Sequence, residues 1–181
     1  MTLTQIMPTL RRSIPDPLHA RSWPEHTFAT VDDVVIAGVS LVRLAALCET
    51  PCVHTADACV PEARTRPALR HDVAVIVVSV TDVVDTPAGR VVLVDGDLSD
   101  AAANWHQSRL IGRVSTAAAA ECSVLTASAT TMTGPGTRAE LPADLRRGDL
   151  LAIPCARAVT LHDIRPSTPA QARRSPRTNS A

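Results

Sequence analysis

The sequence contains no lysine and no tyrosine, and its 18 Lys and Arg positions are all arginine. A lysine amine is the usual side chain that forms a Schiff base with a carbonyl compound. An arginine guanidinium cannot replace it, because its pKa above about 12 leaves no free nucleophilic nitrogen. Schiff-base catalysis by the side chains of this chain is therefore excluded.

The chain also lacks net charge, since 18 positive and 18 negative side chains balance. This balance argues against a nucleic-acid partner. No apolar run approaches the roughly 18–20 residues of a membrane span, which argues against a membrane partner, and no signal-peptide core is visible near the first residues. We therefore expect a cytoplasmic protein. Its five cysteines are an odd number, which favours free thiols over disulfides in that compartment.

No metal site is expected, because each of two groups of possible ligands is incomplete. One group combines three cysteines and a histidine: Cys48, Cys52, His54 and Cys59. It forms half of a zinc motif, and a structural zinc site usually has two paired halves. The other group holds three aspartates: Asp95, Asp97 and Asp100. It lacks the further oxygen ligands and the closing glutamate of a calcium loop. We expect buried free thiols and a solvated turn, respectively.

The residues that are present predict mainly β-structure. Short apolar runs bounded by turn residues predict strands at Val31–Val39, Cys52–Thr55, Asp72–Val84, Arg90–Val94, Arg109–Val114 and Asp149–Pro154, with a further strand-prone segment at Thr126–Thr133. The third of these has apolar residues on both alternating faces, which is typical of a central strand covered on both sides.

Helical signals are confined to the N-terminal third. Ser40 is a good N-cap for a helix over Leu41–Cys48, and its apolar positions follow helical spacing. A second short helix is predicted around Thr4–Ser13. Residues 1–30 are otherwise polar and rich in proline, so we expect an arm that Trp23 or Phe28 anchors on the core.

The stretch from 141 to 163, LPADLRRGDLLAIPCARAVTLHD, carries a family resemblance. It is similar to the last strand region of pyridoxal-phosphate (PLP) amino-acid decarboxylases of the diaminopimelate/ornithine type, roughly L-x-x-GDLLA-x-P-x-x-GAYT. The strand matches over Gly148–Pro154. Arg157 stands at the family's glycine, and Val159 stands at its functional tyrosine.

A second resemblance lies before residue 60, in PTLRRSIP, WP and GVSLVRLAALCETPCVHTADA. These segments resemble the start of diaminopimelate decarboxylases, roughly PTLRxSLP, WP and GVxLxxLAxxxGTPxYVxDEA. The matching positions occur in the same order: Pro8-Thr9-Leu10-Arg11, Trp23-Pro24, Gly38-Val39, Leu41, Leu44-Ala45 and Thr50-Pro51.

A third resemblance covers VTDVVDTPAGRVVLVDGDLSD, which is similar to the entry into the sheet domain of the same enzymes. Asp95-Gly96 and Ser99-Asp100 match the family's VDGGMSD, whereas the RPxLY that follows in the family is missing. The next segment resembles V-x-GxxCxSGDxL. Depending on the alignment, Ser115 or Cys122 takes the position of the catalytic cysteine.

Taken together, these resemblances imply a decarboxylase sheet domain without the (β/α)₈ barrel, ordinarily about 250 residues long, that the family carries. We expect a mainly β fold, a small β-barrel-like domain similar to the C-terminal domain of alanine racemase and diaminopimelate decarboxylase, with one or two short N-terminal helices. The expected organisation is an arm at 1–30, one domain at 31–165 with a linker at 56–72 in place of the barrel, and a disordered tail at 166–181. Removing an insertion whose ends lie close together costs little loop entropy.

Candidate site residues follow from the same resemblance. His106 and Trp105 are the candidate catalytic residues, because they stand where the family places substrate-binding groups and a histidine can move protons near neutral pH. The candidate substrate-binding residues are Asn104, Arg109, Ser115, Cys122, Val159 and His162. No cofactor is expected, since the chain has no lysine to hold PLP.

Two functional hypotheses follow. The first is a degenerate decarboxylase-type sheet domain without PLP chemistry, which acts as an accessory or oligomerisation module and pairs with itself or with a decarboxylase-like partner. The second is a small β-barrel enzyme of secondary metabolism, a cyclase or isomerase, that binds an apolar metabolite inside the barrel without a cofactor. A cavity within the barrel lined by Trp105 or His106 would favour the second, and a filled interior the first.

Overall fold

The computed structural model describes residues 2–58, 72–126 and 137–165. Within these ranges the fold is mainly β, as the sequence predicts. The strands are β1 Thr27–Ala29, β2 Val34–Ile36, β3 Val39–Ser40, β4 Cys52–Asp57, β5 Asp72–Thr86, β6 Gly89–Val94, β7 Arg109–Ile111, β8 Ala119–Thr126, β9 Thr137–Pro142 and β10 Leu150–Pro154. The helices are α1 Leu3–Ile6, α2 Leu41–Cys48 and α3 Leu161–Ile164, with 3-10 turns at Pro8–Arg12 and Trp105–Gln107.

The main sheet has seven strands in the order β7-β10-β5-β6-β8-β9, and β4 also pairs with β5. The pair β6–β8 is parallel, whereas the other pairs of this sheet are antiparallel. The sheet curls into a half-barrel, so that β9 at one end approaches β7 at the other. Strands β1, β2 and β3 form a separate small sheet.

The ladder between β4 and β5 joins the two distant parts of the chain. It runs over six residue pairs, from Cys52 opposite Val77 to Asp57 opposite Asp72. Segments on both sides of residues 59–71 therefore belong to one sheet. The ends of the predicted linker 56–72 belong to this ladder, since β4 continues to Asp57 and β5 begins at Asp72. The rest of that linker, Cys59, residues 127–136 and the predicted tail 166–181 lie outside the described residues.

Strand β5 is covered on both faces, as its alternation predicts. Its even-numbered residues from Ala74 to Val80 face the concave side of the sheet, together with buried side chains of β6, β8, β9 and β10. We call this set the concave core. Val75 and Val77 face the opposite side and pack with residues of the N-terminal segment, including Trp23 and Leu41. We call this second set the outer core.

The Asp95-Gly96 motif has a packing role at the end of β6. The Asp95 Oδ1 atom accepts a hydrogen bond from the Ser79 amide at 2.9 Å. A Cβ atom on Gly96 would lie 2.9 Å from Val78 Cγ1, so a larger residue would clash there. The motif therefore allows β6 to end close against the centre of β5.

The N-terminal helices differ in part from the prediction. The predicted Thr4–Ser13 helix is split into α1 and the 3-10 turn, because Pro8 lacks an amide hydrogen and disfavours the helical region for Met7. Helix α2 has the predicted bounds, and Ser40 Oγ accepts a hydrogen bond from the Arg43 amide at 3.1 Å. The prediction that Cys48 is buried is wrong, because burial on α2 is limited to Leu41 and Ala45 and the last turn is exposed.

Trp23 anchors the arm, with 2% of its surface exposed, whereas Phe28 is 55% exposed.

The helices in the described ranges are all too short to cross a bilayer. In the same part of the chain, no group of three or more His, Cys, Asp or Glu side chains is arranged to hold a metal ion.

Candidate functional site

A cavity of about 210 Å³ lies between the N-terminal arm and the main sheet. Its walls come from α1, the arm up to Trp23, the 3-10 turn at Trp105–Gln107, strand β7 and the ends of β8 and β9 that face each other. We call it the arm cavity. It forms where the curled sheet brings its two end strands near one another and the arm crosses over them.

Arg109 is placed in the arm cavity by the alternation of β7. Leu110 packs against the concave core and Ile111 belongs to the outer core, so Arg109 shares the outer face with Ile111. Among the described residues, its guanidinium has no hydrogen-bond acceptor and no ion-pair partner. Burial lowers the pKa of Arg109, while the nearby Asp16 carboxylate raises it and the Arg11 guanidinium lowers it. The side chain is still charged, since the pKa of arginine is far above neutral.

The arm side of the cavity carries an ion pair and unsatisfied polar atoms. Arg11 Nε lies 3.0 Å from Asp16 Oδ2, and Arg11 Nη1 donates to the Ala117 carbonyl at 3.0 Å. The close contact between Arg11 Nε and Asp16 is not aligned as a hydrogen bond, so Arg11 Nε counts among the buried unpartnered atoms. Asp16 Oδ1 and Trp23 Nε1 are also buried without a partner. Most buried polar atoms in proteins have a partner, so three such atoms on one short arm indicate a place that holds something polar.

The opposite wall is fixed by an ion-pair network around Arg113. Its Nε and Nη2 atoms donate to the two carboxylate oxygens of Asp149 at 2.7 and 2.6 Å, which is the fork geometry of a strong guanidinium–carboxylate pair. Arg113 Nη1 also donates to Asp144 at 3.1 Å, and Ser115 Oγ donates to the other Asp144 oxygen at 2.5 Å. The hydrogen bonds that Arg113 donates to Asp149 raise the pKa of Arg113 despite burial.

Two opposing effects act on the pKa of the Asp144 carboxyl group. Burial would raise the pKa of Asp144, but the hydrogen bonds from Ser115 and Arg113 outweigh burial and hold it below its ordinary value. The network ties the end of β7 to the turn before β10. The Asp149 of the GDLL motif thus has a structural role here, with its side chain 5% exposed.

The structure brings together three of the eight candidate site residues. His106, Arg109 and Ser115 line the arm cavity. Trp105, Cys122 and Val159 pack in the concave core. Asn104 is half-buried beside β10, where its backbone N–H donates to the Pro154 carbonyl at 2.8 Å, and His162 is exposed on α3.

The two residues that compete for the family's cysteine position differ in environment. Cys122 points into the concave core, where its Sγ lies 3.4 Å from the Ala139 carbonyl oxygen. Burial raises the pKa of Cys122 to about 11, so the thiol stays protonated near neutral pH. Ser115 lies in the loop after β7, and its hydroxyl is committed to Asp144. Neither environment activates a nucleophile.

Arg11, Asp16 and Trp23 were not predicted as site residues, because the arm was expected only to pack against the core. One signal was available: a tryptophan and an Arg-x₄-Asp pair occur together in a polar arm of a chain with two tryptophans. The missing information was spatial, since nothing in the sequence places this arm beside Arg109.

The chemistry of the arm cavity suits binding better than catalysis. Its described lining holds no serine or cysteine in hydrogen-bond contact with His106, the arrangement that nucleophilic catalysis requires. Its distinctive groups are one guanidinium without an acceptor, one indole donor and one carboxylate oxygen without a donor. Such groups orient a small polar ligand.

Comparisons with known proteins identify no relative: no family model matches the sequence, and no curated protein does either. The resemblance to decarboxylases therefore rests on the three quoted motifs. The function is argued from the geometry described above.

Proposed function

We propose that this chain is an accessory or oligomerisation module with the architecture of the sheet domain of diaminopimelate/ornithine-type decarboxylases, and that it carries out no PLP chemistry. The β4–β5 ladder is the observation that supports this proposal most strongly. The N-terminal and C-terminal segments that carry the resemblance pair directly with each other. A sheet domain from which the barrel is missing needs this pairing.

The absence of PLP chemistry follows from composition. The chain has no lysine to hold the cofactor as a Schiff base. The concave side of the sheet, where the second hypothesis needs space for an apolar metabolite, is packed with buried side chains including Ile76, Trp105 and Ile153. Packing of this kind supports a module that acts through its surface.

Exposed apolar side chains support an interaction partner. Among the described residues, the large apolar side chains more than a third exposed are Leu3, Ile6, Met7, Ile14, Phe28, Val39, Leu47 and Leu161. Four of them lie within the first 14 residues. Clusters of exposed apolar residues commonly mark a protein–protein contact. The proposed partner is a second copy of the chain or a decarboxylase-like protein.

Sedimentation velocity of the purified chain over a range of concentrations tests this function. We expect a dimer, and we expect the double change Leu3→Ser and Ile6→Ser to weaken it. Leu47→Ser is the matched control, because Leu47 is 74% exposed but lies on α2 rather than on the arm.

Two results would contradict the module. One is a monomer at every concentration that also forms no complex with a diaminopimelate decarboxylase. The other is a protein-bound PLP absorbance band in the purified chain, because PLP chemistry is absent from the proposal.

The second hypothesis, a cofactor-free cyclase or isomerase, has one observation in its favour: His106 lines a cavity. That cavity lies under the arm and not within the sheet, and His106 is exposed. A cyclisation or isomerisation that is lost in His106→Ala, with the melting temperature unchanged, would support this hypothesis over the first.

A further inference from the structure

We propose that the arm cavity binds a small organic carboxylate that also carries a hydroxyl group, with Arg109 holding the carboxylate and Asp16 accepting a hydrogen bond from the hydroxyl. This inference goes beyond the module function, and it holds whether or not the chain forms a dimer. Three features of the cavity carry it.

The first feature is the free guanidinium. Three arginines line the cavity: Arg11, Arg109 and Arg113. Arg11 is paired with Asp16, and Arg113 is paired with Asp144 and Asp149. Arg109 alone among these three has no acceptor among the described residues. A planar guanidinium fork matches the two oxygens of a carboxylate, so a carboxylate is the natural occupant.

The second feature is the charge of the described lining. The Arg11–Asp16 pair is neutral, and Arg113 and Arg146 together balance Asp144 and Asp149. Glu140 also lines the cavity, but it is exposed. Arg109 therefore leaves one uncompensated positive charge, which suits a monoanion better than a phosphate dianion.

The third feature is the pair of buried atoms on the arm. Trp23 Nε1 can donate and Asp16 Oδ1 can accept, and neither has a partner. Both residues line the cavity, and both atoms are shielded from water, so the ligand reaches them when the side chains of the arm shift slightly. A hydroxy acid offers an acceptor to the indole and a donor to Asp16.

The volume of about 210 Å³ is below the roughly 300–1,000 Å³ of drug-sized sites, which limits the ligand to a small molecule.

The two tryptophans make a direct test possible, because Trp23 lines the cavity and Trp105 packs in the concave core. An NMR titration of the ¹⁵N-labelled chain follows both indole signals, which the variant Trp23→Phe assigns. Glycolate should shift the Trp23 signal saturably and leave the Trp105 signal in place. Acetate, which lacks the hydroxyl, should bind about tenfold more weakly, the effect of one hydrogen bond to a charged group.

Variants of the two anchoring residues complete the test. Arg109→Gln should weaken glycolate binding at least about tenfold. Arg109→Lys, which keeps the charge but loses the fork, should weaken it less and serves if the first variant does not fold. Arg43→Gln is the matched control, since Arg43 is exposed on α2 and loses the same charge. Asp16→Ala should abolish the preference for glycolate over acetate.

Several results would overturn the proposal. They are an unmoved Trp23 signal with glycolate, equal affinity in folded Arg109→Gln, or tighter binding of inorganic phosphate than of glycolate. The dimer measurement gives no information about this site, so failure of the module function and failure of the binding site remain distinguishable.

Discussion

The two faces of the main sheet are built differently. The concave core consists of apolar side chains from β5, β6, β8, β9 and β10, closed by Trp105 and Ile164. The outer face is covered by the N-terminal segment, and the arm there contributes three buried polar atoms without partners, on Arg11, Asp16 and Trp23. One further buried unpartnered side-chain atom in the described residues is Thr81 Oγ1, beside the bulge in β5.

This difference suggests that one face of the sheet mainly stabilises the fold and that the other face can bind a ligand. A packed apolar face stabilises the fold and leaves little room for a ligand. Buried polar atoms without partners destabilise a fold, so they are expected where a ligand or partner satisfies them. The concave core therefore accounts for most of the stability of the fold, and the arm carries the polar groups of the proposed binding site.

The largest expected effect comes from a change in the concave core. Ile76→Ala removes a side chain with no exposed surface and should lower the free energy of unfolding by about 4 kcal/mol. Leu18→Ala, in the partly buried arm, should cost about 1 kcal/mol. Urea denaturation of both variants measures the difference. Equal losses would contradict the division between the two faces.

The next effect concerns the ion-pair network at the edge of the arm cavity. Arg113→Ala leaves the buried Asp149 carboxylate without its main partner and should destabilise the fold by about 3 kcal/mol. Arg138→Ala is the control, because Arg138 pairs with Glu121 on the surface, where such a pair is worth about 0–1 kcal/mol. Thermal unfolding compares the two, and a small loss for Arg113→Ala would show that the network does not hold the turn before β10.

The exposed cysteine should react with alkylating agents much faster than the cysteines buried in the two cores. Burial raises the pKa of Cys52 and Cys122 to about 11 and that of Cys155 to about 12, whereas Cys48 is exposed. Iodoacetamide at neutral pH should therefore alkylate Cys48 at least about a hundredfold faster than these three, a difference near 2.8 kcal/mol. Peptide mass spectrometry resolves each site. Rapid alkylation of Cys122 would show that the concave core opens readily.

The smallest expected effect is a pH dependence from His54 on β4. Burial lowers the pKa of His54, so the unfolded chain binds the proton more readily than the folded chain. Stability should be full above about pH 6.5 and should fall as the pH drops towards the lowered folded value. His54→Gln should flatten this part of the stability profile, whereas His162→Gln, at an exposed position, should leave it unchanged. A profile identical to that of the unchanged chain would refute the assignment to His54.

Local signals accounted for much of the fold. The N-cap Ser40 and the apolar spacing gave the bounds of α2, and the two-faced pattern of β5 indicated its central position. The parallel pairing of β6 with β8 could not be foreseen, because 24 residues separate these strands and no local turn links them. The exposure of Cys48 was also missed, since helical spacing does not show where the neighbouring sheet ends.

The candidate site was less predictable than the fold. His106, Arg109 and Ser115 were named from motif positions, and they do line one cavity. Their neighbours on the arm were missed, because their proximity depends on how a segment without regular pairing crosses the ends of the sheet. Whether the Arg109 guanidinium has a partner depends on the tertiary structure. The same β7 sequence would give a paired or an unpaired guanidinium, depending on which segment packs against the strand.

Hydrogen–deuterium exchange of the full chain tests most directly the claim that two distant segments form one sheet, with the arm lying over it. We expect amides in Cys52–Asp57 and in residues 73–80 to exchange slowly and at similar rates, because they share a ladder. Amides in the arm should exchange faster. Rapid exchange of Cys52–Asp57 beside a protected β5 would contradict the account.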